Sequence, residues 1–303
     1  MKTPKPRRSA ARSGKGERAQ RRPSKGDSVP YQESVGTTNH IYGLIPVLEA
    51  LRAGRRQIEK ITIAEGAGQE RLRELLDLAK EARVPVHWAP RVYLNRSLGD
   101  ATHQGVVART AAAHYAETDE LLEALASRVG TGQPPLALCL DGVEDPRNLG
   151  ATLRTAECAG VSAVFIPERR AVGLTDTVAK AAAGALEYVP VARATNLVRL
   201  IEQLKERNIW VVGAAAEASL EYTEWDWTLP SAIVLGSEGS GLHRLVRERC
   251  DALVRIPVLG RLESLNVSVA AGVLLYEALR HRTKQSNPGA ENLRSLIAVG
   301  RIK

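Results

Sequence analysis

Three segments in the second half of the chain carry the side chains best placed for chemistry. They are DGVEDPRNLGATLRTA (141–156), LGSEGSGL (235–242) and the turn Ser264–Leu265–Asn266. In the first, Asp145 suits a helix N-cap and Pro146 the first helical position. Asn148, Thr152, Arg154 and Thr155 then become polar groups on a helix that buries Leu149, Leu153 and Ala156. Asn148 in the first turn and Arg154 about a turn and a half later leave the axis on different sides. One flat surface cannot use both, so a loop or a partner molecule has to wrap round the helix. The second segment sets Gly236, Gly239 and Gly241 around Ser237 and Glu238. It matches a dinucleotide-binding GxGxxG only loosely, being neither the first strand–helix turn nor followed by the expected acidic residue. No GKS or GKT follows a glycine-rich turn, and Ser237 lies in no GxSxG elbow. Cys139, Cys158 and Cys250 lack metal-site spacing and have no histidine partner nearby in sequence, so no metal is expected.

These segments need rigid elements behind them. The stretch Ile256 to Glu277 reads as a short apolar strand, the polar Ser264–Asn266 turn, and a helix apolar nearly all round (Val267, Val269, Ala270, Ala271, Val273, Leu274, Leu275). That pattern predicts a buried helix, with a turn on a firm base whose backbone groups face a cavity. Further apolar strands are predicted at 136–143, 163–167, 186–191, 209–213, 232–236 and 253–257. Helices are predicted between them near 146–159, 174–183, 196–206, 240–249 and 267–281. Strands alternating with helices indicate a mostly parallel sheet covered on both faces, with ligands beyond the strands' carboxyl ends. Residues 135–281 are therefore read as one α/β domain.

Ahead of it, residues 38–112 form a smaller α/β unit. Helices are expected from Ile45 to Gly54, over 71–82 and near 91–98; strands over 58–64, 84–89 and the end of 102–111. His103 reads as a structural hydrogen-bonding group, and Arg55 and Arg56 as helix-end residues that face phosphate or plain solvent. Residues 113–134 read as a connection that carries a helix, ETDELLEALASRVG (117–130), with Gly132 and Pro134–Pro135 marking a boundary.

Of the chain's net charge of +8, residues 1–26 carry ten Lys/Arg against Glu17 alone, leaving the remainder at −1. The arm 1–37 has no apolar core of a secretory signal and too little apolar content to fold, and suits a polyanion such as RNA. No run of 18 apolar residues exists, so no membrane partner is expected. The odd cysteine count suits a reducing cytoplasm. Residues 282–303 form a tail.

The three segments, in this order and spacing, resemble the three motifs of the SpoU/TrmH family of RNA 2′-O-ribose methyltransferases, within the SPOUT superfamily. The front segment, from IYGLIPVLEALRAG to HQGVVAR, resembles the substrate-binding domain of many members. The resemblance implies a C-terminal trefoil-knotted domain behind an L30e-like one, and a homodimer. S-adenosylmethionine would be the methyl donor, with no metal, and RNA the partner. The implied reaction is methyl transfer to the ribose 2′-OH of a guanosine in 23S rRNA. Alternatives are tRNA or another rRNA site, or a non-catalytic role in ribosome assembly. By the same resemblance Asn148, Arg154, Glu238, Ser264 and Asn266 form the catalytic set. Methyl-donor contacts fall near Gly213, Ala214, Leu235, Gly236, Ile256 and Leu265. Arg154 would hold the phosphate beside the target ribose and stabilise the developing alkoxide, with that phosphate assisting deprotonation. Asn148 could orient the arginine, and Glu238 could pair with it. No general base is singled out. Leu262 and Glu263 depart from the small or β-branched residues common at those positions.

Overall fold

The computed structural model describes residues 40–98, 103–111 and 113–286; the expected arm 1–37 and residues 287–303 of the tail lie outside them. The front unit runs β1 (His40–Tyr42), α1 (Leu44–Ala53), β2 (Ile58–Ala64), α2 (Gln69–Glu81), β3 (Val86–Ala89), α3 (Arg91–Leu98) and β4 (Val106–Thr110). Its four strands lie in the order β1-β4-β2-β3, with β4 antiparallel to both neighbours and β2 parallel to β3. Gly54 stops α1 in the left-handed conformation (φ 60°), its N–H donating to the Ala50 carbonyl. Val47, Leu48 and Leu51 of α1 pack with Ile61 and Ile63 of β2 and with Leu72 and Leu75 of α2, which closes this small core.

The larger unit comprises α4 (Thr118–Ala126), β5 (Leu136–Asp141), α5 (Pro146–Cys158), β6 (Ala163–Pro167), α6 (Asp176–Ala181), β7 (Val191–Ala194) and α7 (Leu197–Glu206). It continues through β8 (Trp210–Ala214), β9 (Leu220–Glu221), β10 (Ser231–Gly236), α8 (Arg244–Arg249), β11 (Ala252–Arg255) and α9 (Val267–Ser286). Its seven strands lie in the order β7-β6-β5-β10-β8-β11-β9, and each neighbouring pair is parallel. Every residue of β5 is buried, as a central strand covered on both faces requires. Leu136, Leu138 and Leu140 face Leu149 and Leu153 of α5 and Leu274 of α9. Ala137 and Cys139 face the opposite layer, with Leu200 and Leu204 of α7. The chain moves outward from β5 through β6 to β7, then returns to build β8, β10 and β11 on the other side. The ends of β5 and β10 therefore meet where the strand order switches, a place where parallel sheets leave a crevice.

Several expectations change. Segment 113–134 holds the expected helix but is more than a connection: α4 buries Leu121, Leu122 and Leu125 in the α7-side layer, and Ala116 bridges Ala192. The predicted strand over 186–191 begins only at Val191. A 3-10 turn (Ala185–Glu187) follows Gly184, whose φ of 97° diverts the chain, and Pro190 has no N–H for a ladder. The predicted strand over 253–257 stops at Arg255 before Pro257, and residues 257–266 form an exposed loop in which Leu259 is fully exposed. Helix α9 is not buried all round. Val267, Ala271, Leu274, Leu275 and Ala278 form its inner face, whereas Val269 and Tyr276, two turns apart, are 51% and 50% exposed.

Arg56 faces neither phosphate nor solvent. Its guanidinium, 10% exposed, pairs at 3.0 Å with the Glu187 carboxylate, 5% exposed, and joins the two units. Burial pushes the Glu187 carboxyl above its usual range, against the pull of Arg56 and Arg55. Close by, Tyr188 Oη donates to Glu49 (2.8 Å) and the Lys180 ammonium lies 4.9 Å from the centre of the Tyr42 ring. A side chain at Gly184 would overlap Glu49, so the α1 surface approaches closer there than any Cβ allows. His103 has the structural role read from the sequence. Its Nδ1 accepts from the Gly105 amide and its Nε2 bonds Asn95 (2.7 Å), so Nε2 carries the proton. Burial first, then the charges of Arg91 and Lys180, lower its pKa and keep the ring neutral.

Candidate active site

Asp145 caps α5 by accepting from the Arg147 amide, with Pro146 at the first helical position, as the sequence predicts. This cap aims Asn148, in the first turn, at the loop after β10. Asn266 caps α9 in turn: its Oδ1 accepts from the Ser268 amide (3.0 Å) and hydroxyl (2.6 Å). With the oxygen engaged there, the Asn266 amide nitrogen must point the other way. It donates to Glu238 Oε1 (2.7 Å) and Asn148 Oδ1 (3.0 Å), while Asn148 Nδ2 donates to the same Glu238 oxygen (2.6 Å). The Val267 amide adds a longer contact to it (3.5 Å). Three segments up to 118 residues apart thus close one triangle of side chains. Asn266 and Glu238 are exposed, so the cluster is open to a ligand rather than sealed into the core.

A cavity of about 430 Å³ opens beside this triangle, a size suited to a small-molecule ligand. Ala214, Leu235, Gly236, Ile256, Ser264 and Leu265 all line it. Five of the six residues expected to hold a methyl donor are among them. Gly213 is not: it is buried beneath, where a Cβ would stand 2.8–2.9 Å from Leu242, Cys250 and Leu253. Gly236 is required by geometry, because a Cβ there would overlap the Gly241 carbonyl group. Ser237 and Gly241 exchange backbone hydrogen bonds (3.1 and 3.0 Å), folding the loop back on the strand end, and Gly239 and Gly241 take positive φ angles of 92° and 66°.

A second cavity of about 480 Å³, lined by Asn148, Glu144, Arg170 and His243 among others, shares Ser237, Glu238, Ser240 and Val267 with the first. Glu238 therefore stands between the two. Arg170 and His243 were not singled out in the sequence, where 73 positions separate them and no short motif includes either. His243 donates from its backbone amide (2.7 Å) and bonds through Nδ1 (2.9 Å) to the buried carboxylate of Asp141 at the end of β5.

Arg154 does not join the triangle. It is exposed on another side of α5, lines neither cavity, and makes no hydrogen bond or ion pair among the described residues. Asn148 therefore does not orient it, and Glu238 pairs with the two amides instead. Among the described residues no group of three or more His, Cys, Asp or Glu side chains is placed to hold a metal. Burial pushes the Cys139 thiol well up and the Cys250 thiol to about 12, so neither supplies a thiolate at neutral pH.

Residues 135–276 match the SpoU rRNA Methylase family, and residues 40–116 match the family described as RNA 2′-O ribose methyltransferase substrate binding. YacO, a TrmH-family protein of Bacillus subtilis, is 45% identical over 244 residues, covering 80% of this chain and 96% of its own. The 23S rRNA (guanosine-2′-O-)-methyltransferase RlmB of Pseudomonas syringae pv. tomato is 45% identical over 82% of this chain and 98% of its own. The crystal structure of an AdoMet-bound rRNA methyltransferase from Sinorhizobium meliloti superposes with a TM-score of 0.65 at 25% identity, over 80% of this chain and 87% of that one.

Proposed function

Because the chain belongs to the SpoU/TrmH family of RNA 2′-O-ribose methyltransferases, we propose that its triangle of Asn148, Glu238 and Asn266 is the catalytic centre for methylating a guanosine in 23S rRNA. The enzyme is an S-adenosylmethionine-dependent methyltransferase with an α/β catalytic domain behind a smaller substrate-binding domain. The observation that carries the site is the convergence of all three motifs on the rim shared by two adjoining cavities.

The 430 Å³ cavity fits the donor. Its walls combine small or apolar side chains and strand-end backbone with the carboxylates of Glu238 and Glu263, and its one cation, Arg247, pairs with Glu217 in the same lining. A positive sulfonium is better held by carbonyl and carboxylate oxygens than by a free cation. Bound there, the donor supplies an electrophilic methyl group. The 480 Å³ cavity on the other side of Glu238 then receives the acceptor nucleotide. Asn148, Glu238 and Asn266 orient the reacting groups, and Ser264 and Leu265 close the donor side. The site preference follows RlmB, whose name specifies a 23S rRNA guanosine; YacO is named for tRNA and rRNA alike. Mapping 2′-O-methyl groups in total RNA with and without the protein tests this. A new methyl group in tRNA, or none, would overturn the assignment.

We extend the reading to a homodimer, a trefoil knot in the catalytic domain, an L30e-like front domain, and residence in the cytoplasm, as the family resemblance implies. Two observations support the dimer. Helix α9 leaves Val269 and Tyr276 exposed on one face, and Arg154 lies off the cluster of its own chain. A second copy covering α9 would bring its Arg154 to the acceptor side of a site, answering the need for something to wrap round α5. There the guanidinium would hold the neighbouring phosphate and stabilise the alkoxide. Sedimentation should give twice 32.8 kDa; a fully active monomer at micromolar concentration would defeat the dimer. No helix among the described residues is long and apolar enough to cross a membrane.

A further inference from the structure

We propose that the pocket at the joint between the two units seats one phosphate of the RNA strand, with its nucleoside, apart from the nucleotide that reacts. The assignment rests on the RNA reading above and concerns binding, not methyl transfer. The pocket encloses about 240 Å³ and shares no lining residue with the two cavities of the candidate active site. Three parts of the chain build it. Arg55 and Arg56 come from the turn after α1, Ala113 to Ala116 from the segment between β4 and α4, and Leu174, Leu186 and Val189 from the larger unit. The segment between β4 and α4 is pinned at both ends. The Ala111 amide donates to the Gln57 carbonyl (3.0 Å) and the Ala116 amide to the Val191 carbonyl (2.9 Å). Tyr115 is fixed as well: its Oη accepts from the Leu174 amide (2.8 Å) and from Arg193 (2.9 Å), whose guanidinium carbon stands 4.1 Å from the ring centre. The walls are therefore formed before any ligand arrives.

The charge left over in this lining is positive. Glu187 is its one carboxylate, and it faces two arginines. Arg56 takes it up as a buried pair at 3.0 Å. Arg55 and His114 are exposed and make no hydrogen bond or ion pair among the described residues. Local structure separates the two arginines: Gly54 ends α1 at a φ of 60°, and of the residues that follow, Arg56 turns inward to Glu187 while Arg55 stays at the rim. An unmatched guanidinium beside an apolar wall of Leu174, Leu186, Val189 and Pro190 suits a ligand with an anion on one side and a flat, weakly polar body on the other. A nucleotide within an RNA strand has that form. Its phosphate meets the planar fork of Arg55, and its base or ribose lies against the apolar wall. The volume admits one such unit and no helix. A strand seated here touches both units and the segment joining them, and phosphate contacts of this kind fix where an RNA lies without reading its sequence.

The test is fluorescence anisotropy of a labelled 23S rRNA fragment with the full chain, as parent, Arg55→Ala and Ala113→Trp, over roughly 50–200 mM salt. Steady-state methylation and calorimetry of S-adenosylmethionine accompany it. Arg55→Ala should weaken RNA binding by about fivefold and lower the slope of log affinity against log salt by about one. Ala113→Trp leaves the charge alone and fills the pocket, so it should weaken binding to a similar degree; Ala113→Leu takes its place if the larger ring prevents folding. In both variants the KM for RNA should rise, while kcat and donor affinity stay within about threefold of the parent. Unchanged RNA binding in both overturns the proposal. So does a loss confined to Arg55→Ala, which would mark a plain surface charge. Binding of free AMP at micromolar concentration to the parent but not to the filled variant would assign the pocket to a mononucleotide and overturn the strand. A parent that binds no RNA would instead sink the RNA reading itself.

Discussion

Arg154 and Asn148 lie six residues apart on α5 and serve different surroundings. Asn148 is held in place by Glu238 and Asn266, whereas Arg154 makes no hydrogen bond or ion pair among the described residues. Replacing Arg154 with Ala should leave S-adenosylmethionine affinity within about tenfold, roughly 1.4 kcal/mol. Methyl transfer should fall by a factor on the order of 100 or more, as when a donor to developing negative charge is lost. Lys keeps the charge without the planar fork and should recover only part of the rate. Single-turnover methylation beside calorimetry checks this. Turnover within about threefold of the parent would remove Arg154 from the site.

At the scale of elements, the loop after β10 shapes one wall of the 430 Å³ cavity proposed for the donor. It folds back so closely that only glycine fits at 236. Gly236→Ala forces the 237–241 turn to move, away from both Glu238's partners and the donor wall. We expect a loss of about 1–3 kcal/mol in stability from overpacking and at least about tenfold in donor affinity. Gly239→Ala is the control. A Cβ there meets nothing within 4 Å, and only the φ of 92° is strained; its cost should stay near about 1 kcal/mol. Melting curves and calorimetry separate the two, and equal donor affinity in the Gly236 variant would show that the turn does not shape the donor wall.

For the whole molecule, the joint between the two units is electrostatic and buried. Burial raises the Glu187 pKa above its unfolded value, so this group's contribution is fullest at acid pH, below the ordinary glutamate value, and is lost as pH rises through the folded value. Arg56 limits that loss at neutral pH. Arg56→Met should therefore destabilise the protein by about 3 kcal/mol at neutral pH, because it strands a buried carboxylate. The deficit should shrink on acidification as Glu187 protonates. Urea denaturation at neutral pH and near pH 5 reads the difference; a deficit that ignores pH would indicate lost packing alone. The N-terminal arm acts on a different scale. Deleting residues 1–26 removes a net of nine positive charges. Folding and donor binding should persist while RNA affinity falls, most visibly at low salt. Equal affinity of both forms between roughly 50 and 200 mM salt would exclude a backbone-contacting arm.

Local chemistry explains what was legible in the sequence. Asp145 and Pro146 set the start of α5, Gly54 ends α1, and the apolar runs of β5, β6, β8 and β10 lie in a parallel sheet, because caps and periodicity act over a few residues. The family resemblance likewise led to six expected methyl-donor contacts, and five of them line the 430 Å³ cavity. Tertiary structure decided what depends on distant partners. It took Gly213 beneath the cavity floor, turned Glu238 toward two amides instead of Arg154, and paired Arg56 with Glu187, 131 positions away. It also drew α4 into the core and left one face of α9 open. Asp141 and His243 show the reason most plainly: 102 residues separate them, and only the adjacency of β5 and β10 at the switch in strand order brings imidazole to carboxylate.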